Sequence, residues 1–291
     1  MGVISGRKAR FQGTPDGGAA TVVPTFRSAT ITKVSGIQEL VHAGTRGGRQ
    51  RFAGVKDWNG SYEEYALVPT FFPGAEVEFI GSIDGTKGYK GAALVTQTVI
   101  TIPVGTKGSP TVVGTFRGIE ALDDADTTAV ALPTVVAVPS TEGICVQLAA
   151  LAAEPVYANQ DGTNEIVITL SIEDQPFHHC GSSGVMDALE GLWDANVTYK
   201  RYVDDINTLP TEGDPYHVRI PIEADGSPYY QFEYMRVGDL SDIVFNRESG
   251  ELLNVSIPLM MSMIETIGAT VTVGSGVTIP AGTVWRPVEL T

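Results

Sequence analysis

"GVKDWNGSYEEY" (54–65) and "GLWDANVTYKRY" (191–202) lie 137 residues apart in one chain and spell one pattern. With Gly54 set on Gly191, Asp57 meets Asp194, Asn59 meets Asn196, Tyr62 meets Tyr199 and Tyr65 meets Tyr202. Ser61 falls on Thr198, and Val55 on Leu192. Further signals recur in the same order. Asp84-Gly85 matches Asp225-Gly226, Gly108 matches Gly250 and Pro133 matches Pro280, with offsets of 141, 142 and 147. Small loop insertions account for the drift. The chain reads as one unit written twice, residues 1–150 and 151–291. The seam falls in "LAALAAEPVYANQDG" (148–162), where alternation lapses.

Alternation is the dominant local signal elsewhere. "EVEFIGSIDG" (76–85) places Val77 and Phe79 on one side and Glu76, Glu78 and Ser82 on the other, the period of a half-buried strand. Stretches 93–104, 111–118, 165–173, 216–226 and 252–259 read likewise. Asp-Gly at 84–85 and 225–226 and Ser-Gly at 249–250 mark turns. "GIQELVHAG" (36–44) and the serine-capped "SSGVMDALEGLWD" (182–194) predict two short helices. The expected fold class is all-β with minor helix.

Composition narrows the function. The chain has 34 Asp and Glu against 19 Lys and Arg, a net charge of −15. Gripping nucleic acid by neutralising phosphates needs clustered cations, so DNA binding of that kind is not expected. The two cysteines, Cys145 and Cys180, are too few for a disulfide framework and read as reduced thiols. The N-terminus shows no apolar signal segment, and no apolar run is long enough to span a bilayer, so no membrane partner is expected. "FHHC" (177–180) offers His178, His179 and Cys180, but neighbours on a strand point to opposite faces, so one metal ion is poorly served. "GTKGYKG" (85–91) lacks the Lys-Ser/Thr order of a phosphate loop, and no G-x-S-x-G elbow appears. Neither a cofactor nor an enzyme is expected.

"FAGVKDWNGSYEEY", the following "PGAEVEFIGSIDGTKGYKGAALVTQTVITIPV" and the later "TFRG" resemble the tail tube proteins of long-tailed bacteriophages across residues 24–118. A weaker match covers 163–260, where Ala195 stands for Trp58 and Val197 for Gly60. The resemblance implies two tandem copies of a β-sandwich or barrel. It implies trimeric, pseudo-hexameric rings of this chain stacked into a virion tube assembled in the host cytoplasm. DNA would pass through without specific binding, and tape measure, tail terminator and distal tail proteins would be the other partners.

Several residues become candidates on that reading. The loops at 36–56 and 174–192 are long for a β-domain, which makes Arg46, Arg49, Arg51, His178 and His179 candidate ring-to-ring contacts, and Asp57 and Trp58 of the adjoining motif are named with them. Glu76, Glu78 and Asp84 are candidate lumen acids, their alternative being a solvated outer face. Trp58, Tyr62 and Tyr65 have a plain alternative as core. Rival readings are a distal hub ring, a secretion-type tube, or a carbohydrate-binding sandwich using Tyr229, Tyr230 and Tyr234.

Overall fold

A computed structural model describes residues 9–41, 49–82, 85–105, 108–128, 130–131, 137–151, 155–177, 187–203, 205–222, 229–244, 253–261 and 271–273. Those residues are all β, apart from turns and one short 3₁₀ segment at Ile206–Thr208. The front strands are β1 (Arg10–Pro15), β2 (Thr21–Val22), β3 (Phe26–Val41), β4 (Arg49–Glu64), β5 (Glu76–Ser82), β6 (Lys87–Pro103), β7 (Thr111–Gly118) and β8 (Asp123–Asp126). The rear strands are β9 (Gln147–Ala150), β10 (Ala158–Asn159), β11 (Thr163–Phe177), β12 (Asp187–Val203), β13 (Pro215–Pro221), β14 (Tyr229–Val237), β15 (Ser241–Val244), β16 (Leu253–Met261) and β17 (Val271–Val273).

Every pairing is antiparallel, and the two halves pair in the same order. In front the order is β3–β4–β7–β6–β5–β1–β2, with β8 beside the first part of β6. At the rear it is β11–β12–β16–β14–β13–β9–β10, with β17 beside β14. Strands β14 and β15 together take the part of β6, interrupted between Val237 and Ser241. Ala93, Leu94 and Val95 oppose Gly118, Arg117 and Phe116, as Met235, Arg236 and Val237 oppose Met261, Met260 and Leu259.

Register repeats as well as order. Ala29 opposes Tyr62, and Ile166 opposes Tyr199, 137 residues further along both strands. Both long hairpins slip at the same two places, Phe26/Ser28 with Ser35/Ile37 in front and Thr163/Glu165 with Ile172/Asp174 behind. A one-residue slip moves every side chain to the other face, so equal irregularities at equal positions keep both apolar faces aimed alike.

Each half is two layers over a core. In front, Phe11, Val77 and Phe79 of the β1/β5 layer meet Trp58, Tyr62 and Phe116 of the β4/β7 layer, with Phe79 and Phe116 ring centres 4.4 Å apart. Behind, Ile166, Ile168, Val197, Tyr199, Val218, Ile220 and Ile257 are buried in one larger cluster.

The expectation of two short helices is corrected. Residues 36–41 finish β3 and 187–194 lie in β12, so neither predicted helix forms there. Cross-strand pairing with β4 and β11 outweighs the local helical pattern. Strand β9, just before residue 150, pairs with β10 and β13.

Candidate assembly interface

The shared motif sits on β4 and β12 and builds core. Trp58 is 3% exposed, and its indole N–H donates to the Glu120 carbonyl at 2.7 Å. It lies over Gly118 on β7, where an added Cβ would stand 2.1 Å from Nε1. Tyr62 lies over Gly114 in the same way, and its hydroxyl donates to the Phe71 carbonyl at 3.2 Å. These glycines are where a flat ring covers the facing strand. Trp58, expected as a ring-to-ring contact, is therefore a core side chain and has no surface to offer. Tyr199 is buried as Tyr62 is, while Ala195 and Val197 fill the places of Trp58 and Gly60 with aliphatic bulk. Tyr65 and Tyr202 are held alike, their N–H groups donating to Thr25 and Gly162 carbonyls at 3.1 and 2.9 Å. Tyr65 lies under the Arg27 guanidinium, 5.5 Å from its ring centre.

Glu64 ends β4 and is 1% exposed. It accepts from the Thr70 N–H at 2.8 Å and the Thr70 hydroxyl at 2.7 Å. Burial pushes its carboxyl up to about 6. Arg201 stands at the same register at the rear and donates to the Thr208 carbonyl and hydroxyl at 3.4 and 3.3 Å.

The halves are joined by a strand pair. Beyond Val95, β6 leaves the β5 layer and runs beside β11, with Gln97 opposite Ser171, Val99 opposite Thr169, Thr101 opposite Val167 and Pro103 opposite Glu165. One sheet thus runs β3–β4–β7–β6–β11–β12–β16–β15, four strands from each half. Loop residues Leu67 and Phe72 cross the same junction into the rear core, and the Tyr230 hydroxyl donates to the Leu67 carbonyl at 2.9 Å.

That sheet ends on two strands that correspond to the joined pair. Strand β3 matches β11, and β15 matches the last part of β6. Among the described residues, β3 pairs only with β4 and β15 only with β16. Exposure follows from this. Ile166, Ile168 and Leu170 on β11 are 0% exposed, whereas their counterparts Ala29 and Lys33 are exposed and Ile31 is half-buried. A sheet edge of this kind offers unpaired N–H and C=O groups to another chain.

The sheet face turned away from the core is rich in hydroxyls and amides. One row across it reads Thr30, Ser61, Thr115, Gln97, Ser171, Asp194. Its charges include pairs, Asp57 with Arg117 at 3.4 Å, Glu165 with Lys200 at 2.9 Å, and Glu63 with Arg27. Asp57, expected at a ring-to-ring contact, is thus tied across this face. Glu76 and Glu78 are not on it. They point outward from β5 in the other layer, where Glu78 pairs with Lys90 at 2.8 Å. Arg49 and Arg51 begin β4. Arg46, Asp84, His178 and His179 lie outside the described residues. Gly54 and Gly191 fall within β4 and β12, and Asn59 and Asn196 share the polar face. Tyr230 is fully buried, which removes it from any exposed sugar-stacking trio with Tyr229 and Tyr234.

Sequence reasoning missed the junction residues Val99, Thr169, Glu64 and Leu67. Alternation marks a strand's buried face, but nothing in it names the neighbour along the sheet. No family model matches this chain, and no curated protein matches it.

Proposed function

We propose that the chain is a structural protein that builds hollow rings from copies of itself, as in the tail tube of a long-tailed bacteriophage. One observation carries the reading. The junction inside the chain, β6 beside β11, uses the counterparts of the two strands left open at its ends, β15 and β3. Repeating that junction between chains adds β3 of one molecule to β15 of the next. Such head-to-tail contacts close when the rotation per unit divides a full turn. The repeated order and register support descent from one duplicated unit, with each molecule supplying two of six units.

Dimensions support the conduit role. Each chain gives eight strands to the common sheet, so three give twenty-four. At about 4.8 Å per strand and a tilt of roughly 35–45°, such a barrel has a backbone diameter of roughly 45–52 Å, enough for a nucleic-acid duplex. The polar face, with cations such as Arg117 and Lys200 held by acids, offers phosphates little to grip. This replaces an acidic wall made by Glu76 and Glu78 with a hydroxyl-rich one.

Electron microscopy of the purified chain tests the proposal. Hoops of three chains with an open bore, singly or stacked into tubes, are the expected result. A chain that stays monomeric at all concentrations contradicts it.

A further inference from the structure

The contact between chains need not copy the contact within the chain atom for atom, and two substitutions at matched positions change its chemistry together. Within the chain, the Tyr65–Ala75 loop crosses the junction. Its Leu67 and Phe72 are buried with Leu170 and Tyr230, and Ala66 and Val68 pack against that cluster. The matched loop at the rear is bounded by Tyr202 and Thr208, the counterparts of Tyr65 and Thr70. In place of apolar Leu67-Val68 it carries an acidic turn, with Asp205 exposed and Ile206 62% exposed at its tip. Asp205 caps the 3₁₀ turn, accepting from the Asn207 N–H at 2.9 Å.

The receiving side changes in the complementary sense. Leu170 opposes Ala195 on β12, and its counterpart opposing Trp58 on β4 is Lys33, which is exposed. Tyr230 opposes Ile220, and its counterpart opposing Gly81 is Tyr89. Lys33 Nζ lies 4.0 Å from the centre of the Tyr89 ring, and that ring is half-buried where Tyr230 is fully covered. An apolar donor loop meets apolar Leu170 inside the chain. An acidic donor loop and a basic Lys33 stand open at its two ends.

We propose that the Asp205–Ile206 turn of one chain seats on the Lys33–Tyr89 pair of a second copy. Ile206 covers the tyrosine ring and Asp205 meets the lysine. The inference rests on the ring reading and adds to it a contact that is ionic between chains and apolar within one. The physical consequence is solubility before assembly, because a lone chain exposes charges rather than a Leu-rich patch at its ends. A second consequence is salt sensitivity, since exposed ion pairs weaken as the screening length shortens.

Sedimentation of the full chain over a salt series provides the test. The parent is expected to associate less as salt rises. Lys33→Glu is expected to weaken association about tenfold or more, as is typical of like charges placed across an interface. Asp205→Asn keeps a capping side chain and loses the charge, so it should weaken association and flatten the salt dependence. The exchange Lys33→Glu with Asp205→Lys in one chain should recover most of the loss. If the parent associates while Lys33→Glu, Asp205→Asn and the exchange all behave as it does, this contact is wrong and the ring reading survives. If Lys33→Glu weakens association and the exchange fails to recover it, the pairing is equally overturned. A parent that never associates removes both readings.

Discussion

Ala29→Glu is expected to leave the single chain folded and to abolish rings. Ala29 is exposed on the open strand β3, so a carboxylate there stays in water and the unfolding midpoint should move little. Its counterpart, Ile166 on β11, is 0% exposed because β6 runs alongside. In a closed ring the same covering would bury the new charge without a partner, a cost of about 3–5 kcal/mol at each junction. With three such junctions per ring, assembly should be undetectable at concentrations where the parent assembles fully. Sedimentation and thermal melting of one sample check both halves of the expectation. Rings from the glutamate variant would show that β3 is not covered in the assembly.

Glu64→Gln is expected to stabilise the chain above neutral pH and to do nothing in acid. The carboxyl is raised from an ordinary 4.5 to about 6, chiefly by burial, against the opposing hydrogen bonds from Thr70. A raised acid favours the fold while protonated. Its favourable share is complete below about pH 4.5 and is lost as pH climbs through about 6. Above that range the buried carboxylate costs about 2 kcal/mol. Glutamine stays neutral and keeps an oxygen for the Thr70 N–H and hydroxyl. Urea unfolding at about pH 7.5 should favour the glutamine chain by up to about 2 kcal/mol, and the gap should close near pH 4.5. An equal gap at both pH values would mean that the gain has another source.

The strands were legible because their chemistry is local. Val77 and Phe79 alternate with Glu76 and Glu78, and the structure buries the first pair and turns the second outward. Which outward face they join was not legible. Alternation separates inside from outside, but β5 and β4 lie in different layers, and their outward sides look in opposite directions. This is why Glu76 and Glu78 could be named as candidate lumen acids with only a solvated outer face as the alternative. The two helical expectations failed for a related reason. "GIQELV" and "DALEGLWD" carry helical spacing over too few residues to resist a partner strand running their whole length. The repeated tyrosines were legible in sequence, and Tyr62 and Tyr199 mark equal register positions, both buried, opposite Ala29 and Ile166. For Trp58 the sequence left contact and core both open, and burial over Gly118 and Gly91 decides for core. The edge partners could not be read at all. In the proposed ring, backbone N–H and C=O groups would pair β3 to a neighbour, and every residue type except proline carries both.

Joining β15 to β3 of a second chain in the register of the internal junction is the central claim, and a cysteine pair tests it most directly. Val99 opposes Thr169 inside the chain, and their counterparts on the open strands are Ser241 and Thr32. With Cys145 and Cys180 changed to serine, chains bearing Thr32→Cys and Ser241→Cys are oxidised beside an internal reference bearing Val99→Cys and Thr169→Cys. Covalent dimers and trimers from the first, with trimer as the largest species and none from either single variant, are the predicted result. Monomer alone from the first, while the reference closes its bond within the chain, would contradict the account.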